Sequence, residues 1–123
     1  MIDIFVRTLQ VCPFPLFDRQ VRFVLATLDG TVRLPSTAEM LENIRREAES
    51  AAAAGKAQRH FHRFSSAQWA YNDKLAEMAG FKPLLPVIAD LYESVCPDRV
   101  NHLIRYRSQN FRIIDQHTFE KIC

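Results

Sequence analysis

Two histidines separated by one residue, His60 and His62 in the stretch RHFHR, form the first candidate site in the sequence. An HxH pair can supply two imidazole ligands to a metal ion. The other candidate ligands, Asp73 and His102, have no spacing that connects them to the pair, and the arginines on either side of it repel a cation. The pattern therefore favours a solvated or salt-bridging loop, and we predict no metal site.

Arginines and aromatic residues are interleaved between Pro97 and Ile114. Bases of single-stranded nucleic acid stack on aromatic side chains in such patterns. Four arginines on a short helix and its exit are also typical of a solvated face or of ion-pair partners. The net charge of the chain is only +2, too small to indicate nucleic acid or a membrane surface. We therefore predict no nucleic-acid binding.

The chain has three glycines, Gly30, Gly55 and Gly80, and none lies in a phosphate-binding loop. A dinucleotide pyrophosphate needs closely spaced glycines, so that the backbone can approach it at a helix N-terminus. Each of these glycines instead follows a helical pattern, at the position of a left-handed cap. The chain by itself lacks the usual dinucleotide-binding fingerprint.

The three cysteines, Cys12, Cys96 and Cys123, are far apart and include no CxxC pair. This spacing argues against a disulfide framework or a zinc ribbon and for a reducing compartment. Cys12 has no histidine nearby in sequence, so the pattern gives little support to a thiol nucleophile. Because no apolar run approaches the roughly 20 residues that span a bilayer, we predict a cytoplasmic protein without a membrane segment.

Hydrophobic periodicity predicts a mainly α fold, with about five helices and a short strand near each end. The last residues, QHTFEKIC, are predicted to be loosely held. The predicted helices run from Pro15 to Asp29, from Ser36 to Gly55, from Ser65 to Ala79, from Leu84 to Cys96 and onward from Pro97, and the predicted strands comprise residues 2–6 and 111–114.

Two serines are predicted to begin helices through capping boxes, Ser36 with Glu39 and Ser65 with Gln68. Trp69 is predicted to lie in the core and Tyr71 at its rim. The first helix is predicted to bury an apolar stripe and to expose its charged residues. The stripe consists of Phe17, Val21, Val24, Leu25 and Leu28.

The stretch from Pro13 to Ser36, PFPLFDRQVRFVLATLDGTVRLPS, resembles the C-terminal portion of flavin-containing monooxygenases, particularly the invertebrate members related to dimethylaniline monooxygenase. The next piece, EMLENIRREAES, looks like the charged helix that follows the LPS turn in that family. RHFHRFSSAQWAYNDKLAEMAGF is similar to its segment with RHxH and QWxYxDxLAxxAG. PLLPVIADLYESV and YRSQNFRIID follow in the expected order. The resemblance spans Cys12 to Asp115.

The resemblance implies an enzyme that uses FAD, NADPH and O2 to place one oxygen atom on a soft nitrogen or sulfur of a small molecule. The family has two dinucleotide-binding domains, whose glycine-rich loops lie upstream of the matched region. By resemblance, residues 1–30 end the FAD domain and residues 31–123 form a helical C-terminal extension. The implied partner is the missing N-terminal part, and the fragment is expected to be inactive alone. A stand-alone helical interaction module without catalysis is the alternative.

The resemblance also implies a cofactor contact at the first helix, whose N-terminus points at the flavin ring in proteins of this architecture. A helix N-terminus carries unpaired amide donors and the positive end of a dipole, both suited to the electron-rich pyrimidine edge of reduced flavin. Leu16, Phe17 and Gln20 are the residues placed closest, with Gln20 as the polar contact. The alternative is that these residues only cap and pack the helix.

Overall fold

The computed structural model describes residues 12–56, 64–102 and 104–122, apart from the side chain of Val100. The prediction of a mainly α fold is confirmed, with four helices in these residues rather than five. The chain divides between Lys82 and Pro83 into two compact units. The elements are α1 Pro13–Leu28, α2 Thr37–Ala53, α3 Ala67–Ala79, α4 Pro86–Asn101, a 3-10 turn Tyr106–Ser108, and the antiparallel strands β1 Asn110–Ile113 and β2 Phe119–Ile122.

Three features predicted from the sequence fall outside this description. They are the strand at residues 2–6, the histidine pair His60 and His62, and Cys123.

Helix α1 begins two residues earlier than predicted, because prolines are tolerated in the first turn of a helix. Pro13 and Pro15 both lie in that turn, where a missing N–H removes no intrahelical hydrogen bond. The helix ends before Gly30, which adopts a left-handed conformation with φ of 83°. The Asp29 carboxylate then accepts the Thr31 N–H at 2.8 Å. The predicted helix stop at Gly30 is confirmed.

Helix α2 begins with the predicted capping box. Ser36 Oγ accepts the Glu39 N–H at 3.3 Å, and Glu39 Oε2 accepts the Ser36 N–H at 2.8 Å. The hydrogen bonds from Ser36 hold the pKa of the Glu39 carboxyl below its ordinary value. No side chain of α2 is buried, so local capping and surface ion pairs, such as Arg45 with Glu42 at 2.7 Å, support this helix.

We expect Ser36→Ala to lower the free energy of unfolding by about 1 kcal/mol, because the Glu39 N–H loses its acceptor. Urea denaturation followed by circular dichroism measures the change. Ser50→Ala, at an exposed position in the last turn of the same helix, serves as the matched control and should be neutral or slightly stabilising. The Ser36 effect should be full above the ordinary glutamate pKa of 4.5 and should shrink as the pH falls below it through the lowered pKa of Glu39, because a protonated Glu39 cannot complete the box. Equal losses in the two variants would show that the box is not a stabilising feature.

Helix α3 does not use the second predicted capping box. Its N-cap is Ser66, without a side-chain cap, and Ser65 has a positive φ of 47°. Gln68 is fully buried, and its Oε1 accepts the N–H of Cys12 at 2.6 Å. The prediction was wrong because Gln68 makes a hydrogen bond 56 residues away in sequence instead of a local one. Gly80 ends the helix in the left-handed conformation, as predicted.

The core of the first unit lies between α1 and α3. Phe23, Val32, Leu75 and Ala79 form it, and the half-buried Tyr71 packs at its edge. A hydrogen bond from the Val32 N–H to the Ala26 carbonyl, at 2.8 Å, folds the chain after α1 back onto this core. Trp69, predicted in the core, is half-buried.

The predicted buried stripe of α1 is on the wrong side of the helix. The buried residues are Leu16, Gln20 and Phe23, whereas most of the predicted stripe is exposed. Helix α1 has two apolar faces, and the sequence pattern cannot tell which of them α3 covers. The face that α3 covers contains a polar residue, Gln20, which weakens its apolar signal.

Helix α4 is continuous from Pro86 to Asn101, so the predicted break at Cys96 and the separate fifth helix were wrong. Pro97 lies inside the helix and lacks one N–H donor. The helix continues past it, and the N–H of His102 still donates to the Asp98 carbonyl at 2.8 Å. At its other end, the Val87 N–H donates to the carbonyl of Gln116 at 2.9 Å, which joins α4 to the hairpin loop.

The hairpin confirms the predicted strand near Phe111 and corrects the prediction of a loose tail, because β2 pairs with β1 from Phe119 to Ile122. The Asp115 carboxylate closes the turn by accepting the N–H groups of His117 and Thr118 at 2.7 and 2.9 Å. The rings of Phe111 and Phe119 meet edge to face, with their centroids 6.0 Å apart.

Candidate functional site

Two of the three residues predicted to contact a flavin, Leu16 and Gln20, are each 1% exposed and lie on the buried face of α1. Being four residues apart, they share one side of the helix. Phe17 is 37% exposed and lies on the outer side. The structure therefore places the three residues on about one helical turn, with only Phe17 offering free surface.

A layer of buried amides joins α1 to α3. Gln20 Nε2 donates to the Tyr71 hydroxyl at 3.4 Å, and Gln68 Oε1 accepts the Cys12 N–H. Among the described residues, Gln68 Nε2 and both amide atoms of Asn72 are buried without a hydrogen-bond partner. Each such atom is destabilising by about 1–3 kcal/mol unless water or another group reaches it. The amide layer fixes the start of α1 on α3 and retains unused hydrogen-bonding capacity.

Gln68 and Asn72 were not predicted as site residues. One signal in the sequence does point to them, because Gln68 and Asn72 lie at helical spacing with the apolar residues Leu75 and Ala79. The structure shows that all four are buried. Two amides thus continue an apolar stripe, and polar groups in such a position need internal partners.

The N-terminal end of α1 offers one backbone donor rather than several. Pro13 and Pro15 have no N–H, and the Leu16 N–H already donates to the Cys12 carbonyl at 3.4 Å. The Cys12 N–H is occupied by Gln68. By helix geometry, the N–H of Phe14 is the donor left over for an external group.

Cys12, directly before α1, is a free and half-buried thiol. A helix N-terminus usually lowers the pKa of a cysteine, but here burial raises the pKa of the Cys12 thiol. The thiolate is therefore a minor species at neutral pH. This geometry agrees with the weak case for Cys12 as a nucleophile.

We expect Cys12 to be alkylated slowly at about pH 7.5, because only the thiolate reacts. The alkylation rate should still be increasing with pH above pH 9.0, the ordinary pKa of a cysteine. Iodoacetamide labelling at a series of pH values, read by peptide mass spectrometry, measures the rate. The urea-unfolded chain provides the control, since its Cys12 should titrate at an ordinary pKa. The prediction would be contradicted if the alkylation rate of the folded chain levelled off at a lower pH than that of the unfolded chain.

Arg19 was predicted to face solvent with Asp18 and Arg22, but it connects α1 to the chain after α3. One guanidinium nitrogen donates to the Lys82 carbonyl at 2.7 Å, and the guanidinium carbon lies 5.3 Å from the centre of the Phe81 ring. Asp18 and Arg22 form an ion pair at 2.9 Å on the surface of α1. The α1–α3 arrangement is therefore held at the buried amides and again at Arg19.

Metal and membrane features are absent from the part of the chain that the structure describes. Within it, no three His, Cys, Asp or Glu side chains are grouped so as to hold a metal ion. None of the described helices is long and apolar enough to cross a membrane.

Part of the chain is similar in sequence to plant flavin-containing monooxygenases. It is 34% identical over 71 residues to flavin-containing monooxygenase FMO GS-OX-like 4 and 35% identical over 68 residues to FMO GS-OX4, both of Arabidopsis thaliana. These alignments cover 58% and 55% of this chain but only 16% and 15% of the two relatives. No protein-family model matches the chain.

The fold is similar to that of S-allyl-L-cysteine S-oxygenase from Allium sativum, with a TM-score of 0.73 and 30% sequence identity. The match covers 80% of this chain and 22% of that enzyme. The chain thus has partial homology to flavin-containing monooxygenases and corresponds to a C-terminal-like portion of them. These relatives are plant proteins, and the narrower resemblance to invertebrate members stays a prediction.

Proposed function

We propose that this chain is the C-terminal part of a flavin-dependent monooxygenase that uses FAD, NADPH and O2 to oxygenate a nitrogen or sulfur atom of a small molecule. The similarity to the S-oxygenase, in both fold and sequence, is the observation that carries this proposal. In it, residues 1–30 end the FAD domain, residues 31–123 form a helical extension, and the enzyme is cytoplasmic. Because the chain contains no glycine-rich phosphate loop, the remaining polypeptide must bind both dinucleotides. The chain alone is therefore expected to be inactive.

The contribution of this chain to the flavin site would come from the first turn of α1. A bound flavin supplies the oxygen chemistry, and the protein residues position it and exclude water. The Phe14 N–H suits an electron-rich carbonyl edge, and Phe17 has exposed ring surface to place against the cofactor. Leu16 and Gln20 support this turn from the buried side. Gln20 would act on the cofactor through its hydrogen bond with Tyr71 and the position it gives to α1.

The outer face of α1 gives independent support for missing polypeptide. Its large apolar side chains recur every three or four residues and remain exposed, although a soluble chain usually covers such a row. We call this row the outer stripe, and in the proposal the flavin-binding part of the enzyme packs on it. The outer stripe consists of Phe14, Phe17, Val21, Leu25 and Leu28.

A chimera tests the proposal. In it, this chain replaces the matching segment of the S-allyl-L-cysteine S-oxygenase, which is compared with the same enzyme truncated before that segment. The chimera is expected to retain bound flavin and NADPH- and substrate-dependent oxygen uptake, and the truncated enzyme to lose both. The purified 123-residue chain, supplied with FAD and NADPH, should show no substrate-dependent NADPH oxidation. A chimera as inactive as the truncated enzyme, or robust turnover by the chain alone, would overturn the proposal.

The alternative function is a stand-alone helical interaction module, which the outer stripe would also fit. Thermal melting discriminates between the two. A self-sufficient module should unfold in one sharp cooperative transition. A piece that lacks its partner domain should melt over a broader temperature range and bind a hydrophobic dye more strongly through its uncovered apolar surface.

A further inference from the structure

We propose that the unit that begins at Pro83 contains a binding pocket for a small phosphate monoester, between the end of α4, the 3-10 turn and β2. The pocket is an open depression with a volume of about 430 Å³, within the roughly 300–1,000 Å³ typical of small-molecule sites. It involves none of the residues proposed for the flavin and does not depend on the oxygenation reaction. Its polar lining consists of Asp98, His102, Arg105, Ser108, Gln109 and Lys121.

The two permanent cations of the pocket have no acidic partner among the described residues. Arg105 and Lys121 make no ion pair there, and both are exposed. The acid next to Lys121 is Glu120, which points to the opposite side of the hairpin because side chains alternate along a strand. On that side Glu120 pairs with Arg112 at 3.3 Å. The charges of Arg105 and Lys121 therefore remain available to a ligand.

The pocket has one negative side chain, Asp98, against the two cations Arg105 and Lys121. Asp98 Oδ2 accepts a hydrogen bond from Gln109 Nε2 at 2.9 Å. A helix C-terminus normally disfavours an anion because its last carbonyls are unpaired. Two carbonyls at this end of α4 are paired, because the Asp98 carbonyl accepts the His102 N–H and the His102 carbonyl accepts the N–H groups of Arg105 and Tyr106, at 2.8 to 3.1 Å. With two cations against one carboxylate, the charge of the pocket favours an anionic ligand over a cation.

A phosphate monoester suits these groups better than a carboxylate or a nucleic-acid strand. Its three terminal oxygens can bind Arg105 and Lys121 together, whereas a carboxylate has two oxygens in one plane. A strand needs a continuous basic track with free aromatic rings, but Arg107 is placed over the ring of Tyr106 and donates to its hydroxyl at 3.3 Å. Arg112 is also paired, whereas Arg105 and Lys121 are free cations that line the same concave site.

Titration of the ¹⁵N-labelled chain with inorganic phosphate and with glycerol 3-phosphate, at constant ionic strength, tests the site by NMR. We expect saturable amide shifts centred on Arg105, Ser108, Gln109 and Lys121, and none with acetate at the same concentrations. The double variant Arg105→Ala/Lys121→Ala should bind at least tenfold more weakly. Since both side chains are exposed, the dispersion of the spectrum should remain that of the folded chain.

Arg107→Ala is the matched control, because it removes an adjacent arginine that does not line the pocket. It should leave the affinity for glycerol 3-phosphate unchanged. Equal weakening by Arg107→Ala would mean a diffuse charge effect and overturn the site. Non-saturable shifts, acetate binding of the same strength, or tighter binding of a thymidine oligonucleotide with shifts spread over the unit would overturn it as well.

Discussion

Replacing Phe23 by alanine should lower the free energy of unfolding of the 123-residue chain by about 3–5 kcal/mol, the usual range for a buried phenylalanine. Phe23 is 6% exposed and packs with Val32, Leu75 and Ala79. Truncation removes its apolar contacts with all three and leaves a cavity between α1 and α3. Urea denaturation, followed by circular dichroism and by the fluorescence of Trp69, measures the loss. Together the two probes also report whether the chain unfolds in one step.

Phe14→Ala is the matched control, because it makes the same chemical change on the same helix. Phe14 is 84% exposed, so its truncation should alter the free energy of unfolding of the chain by no more than about 0.5 kcal/mol. Similar losses in the two variants would mean that α3 does not cover the Phe23 side of α1. A larger loss of unfolding free energy for Phe14→Ala than for Phe23→Ala would instead support the orientation of α1 that the sequence pattern predicts.

Leu25→Lys should have little effect on the isolated chain but should strongly impair the chimeric monooxygenase. Leu25 belongs to the outer stripe and is 57% exposed, so a lysine there should leave the stability of the isolated chain within about 0.5 kcal/mol. In the chimera the same lysine would be buried against the flavin-binding part. An unpaired buried charge is strongly unfavourable, and we expect flavin content and oxygen uptake to fall at least tenfold. Flavin absorbance of the purified protein and an oxygen electrode measure the two quantities.

Ile114→Lys provides the comparison at similar exposure, since Ile114 is 55% exposed and does not belong to α1. It should leave flavin content and oxygen uptake of the chimera unchanged. If both lysines reduce activity equally, the outer stripe is not a specific interface. If neither does, the outer stripe stays exposed in the chimera, and its packing against the flavin-binding part is excluded.

Features that depend on a few neighbouring residues could be predicted from the sequence. The capping box of Ser36 and Glu39 forms as expected, because both partners lie within one helical turn. Gly30, Gly55 and Gly80 all adopt a positive φ just after a helix, where an L-residue with a side chain is disfavoured. The strand near Phe111 also followed from the strand character of Phe111, Ile113 and Ile114.

The candidate site shows why the rest could not be predicted. Ser65 and Gln68 have the same spacing as Ser36 and Glu39, yet the Gln68 side chain binds the backbone of Cys12 in another element. The spacing is identical, but the presence of α1 beside α3 offers Gln68 a partner outside its own helix. The burial of Gln20 follows from the same packing. Because Gln20 is buried, we propose that it supports the first turn of α1 rather than contacting the flavin directly.

The sequence by itself determined where most of the helices lie, that the described part is mainly α, and that a glycine-rich phosphate loop is missing. These properties follow from local hydrogen bonding, backbone conformation and composition. Only the tertiary structure decided which face of α1 is buried, that Pro97 lies within one continuous helix, and that β2 pairs with β1. It also decided that Arg105 and Lys121 share a pocket. The packing of α1 on α3 and the pocket depend on contacts between separate elements of the chain, and such contacts leave no fixed spacing in the sequence.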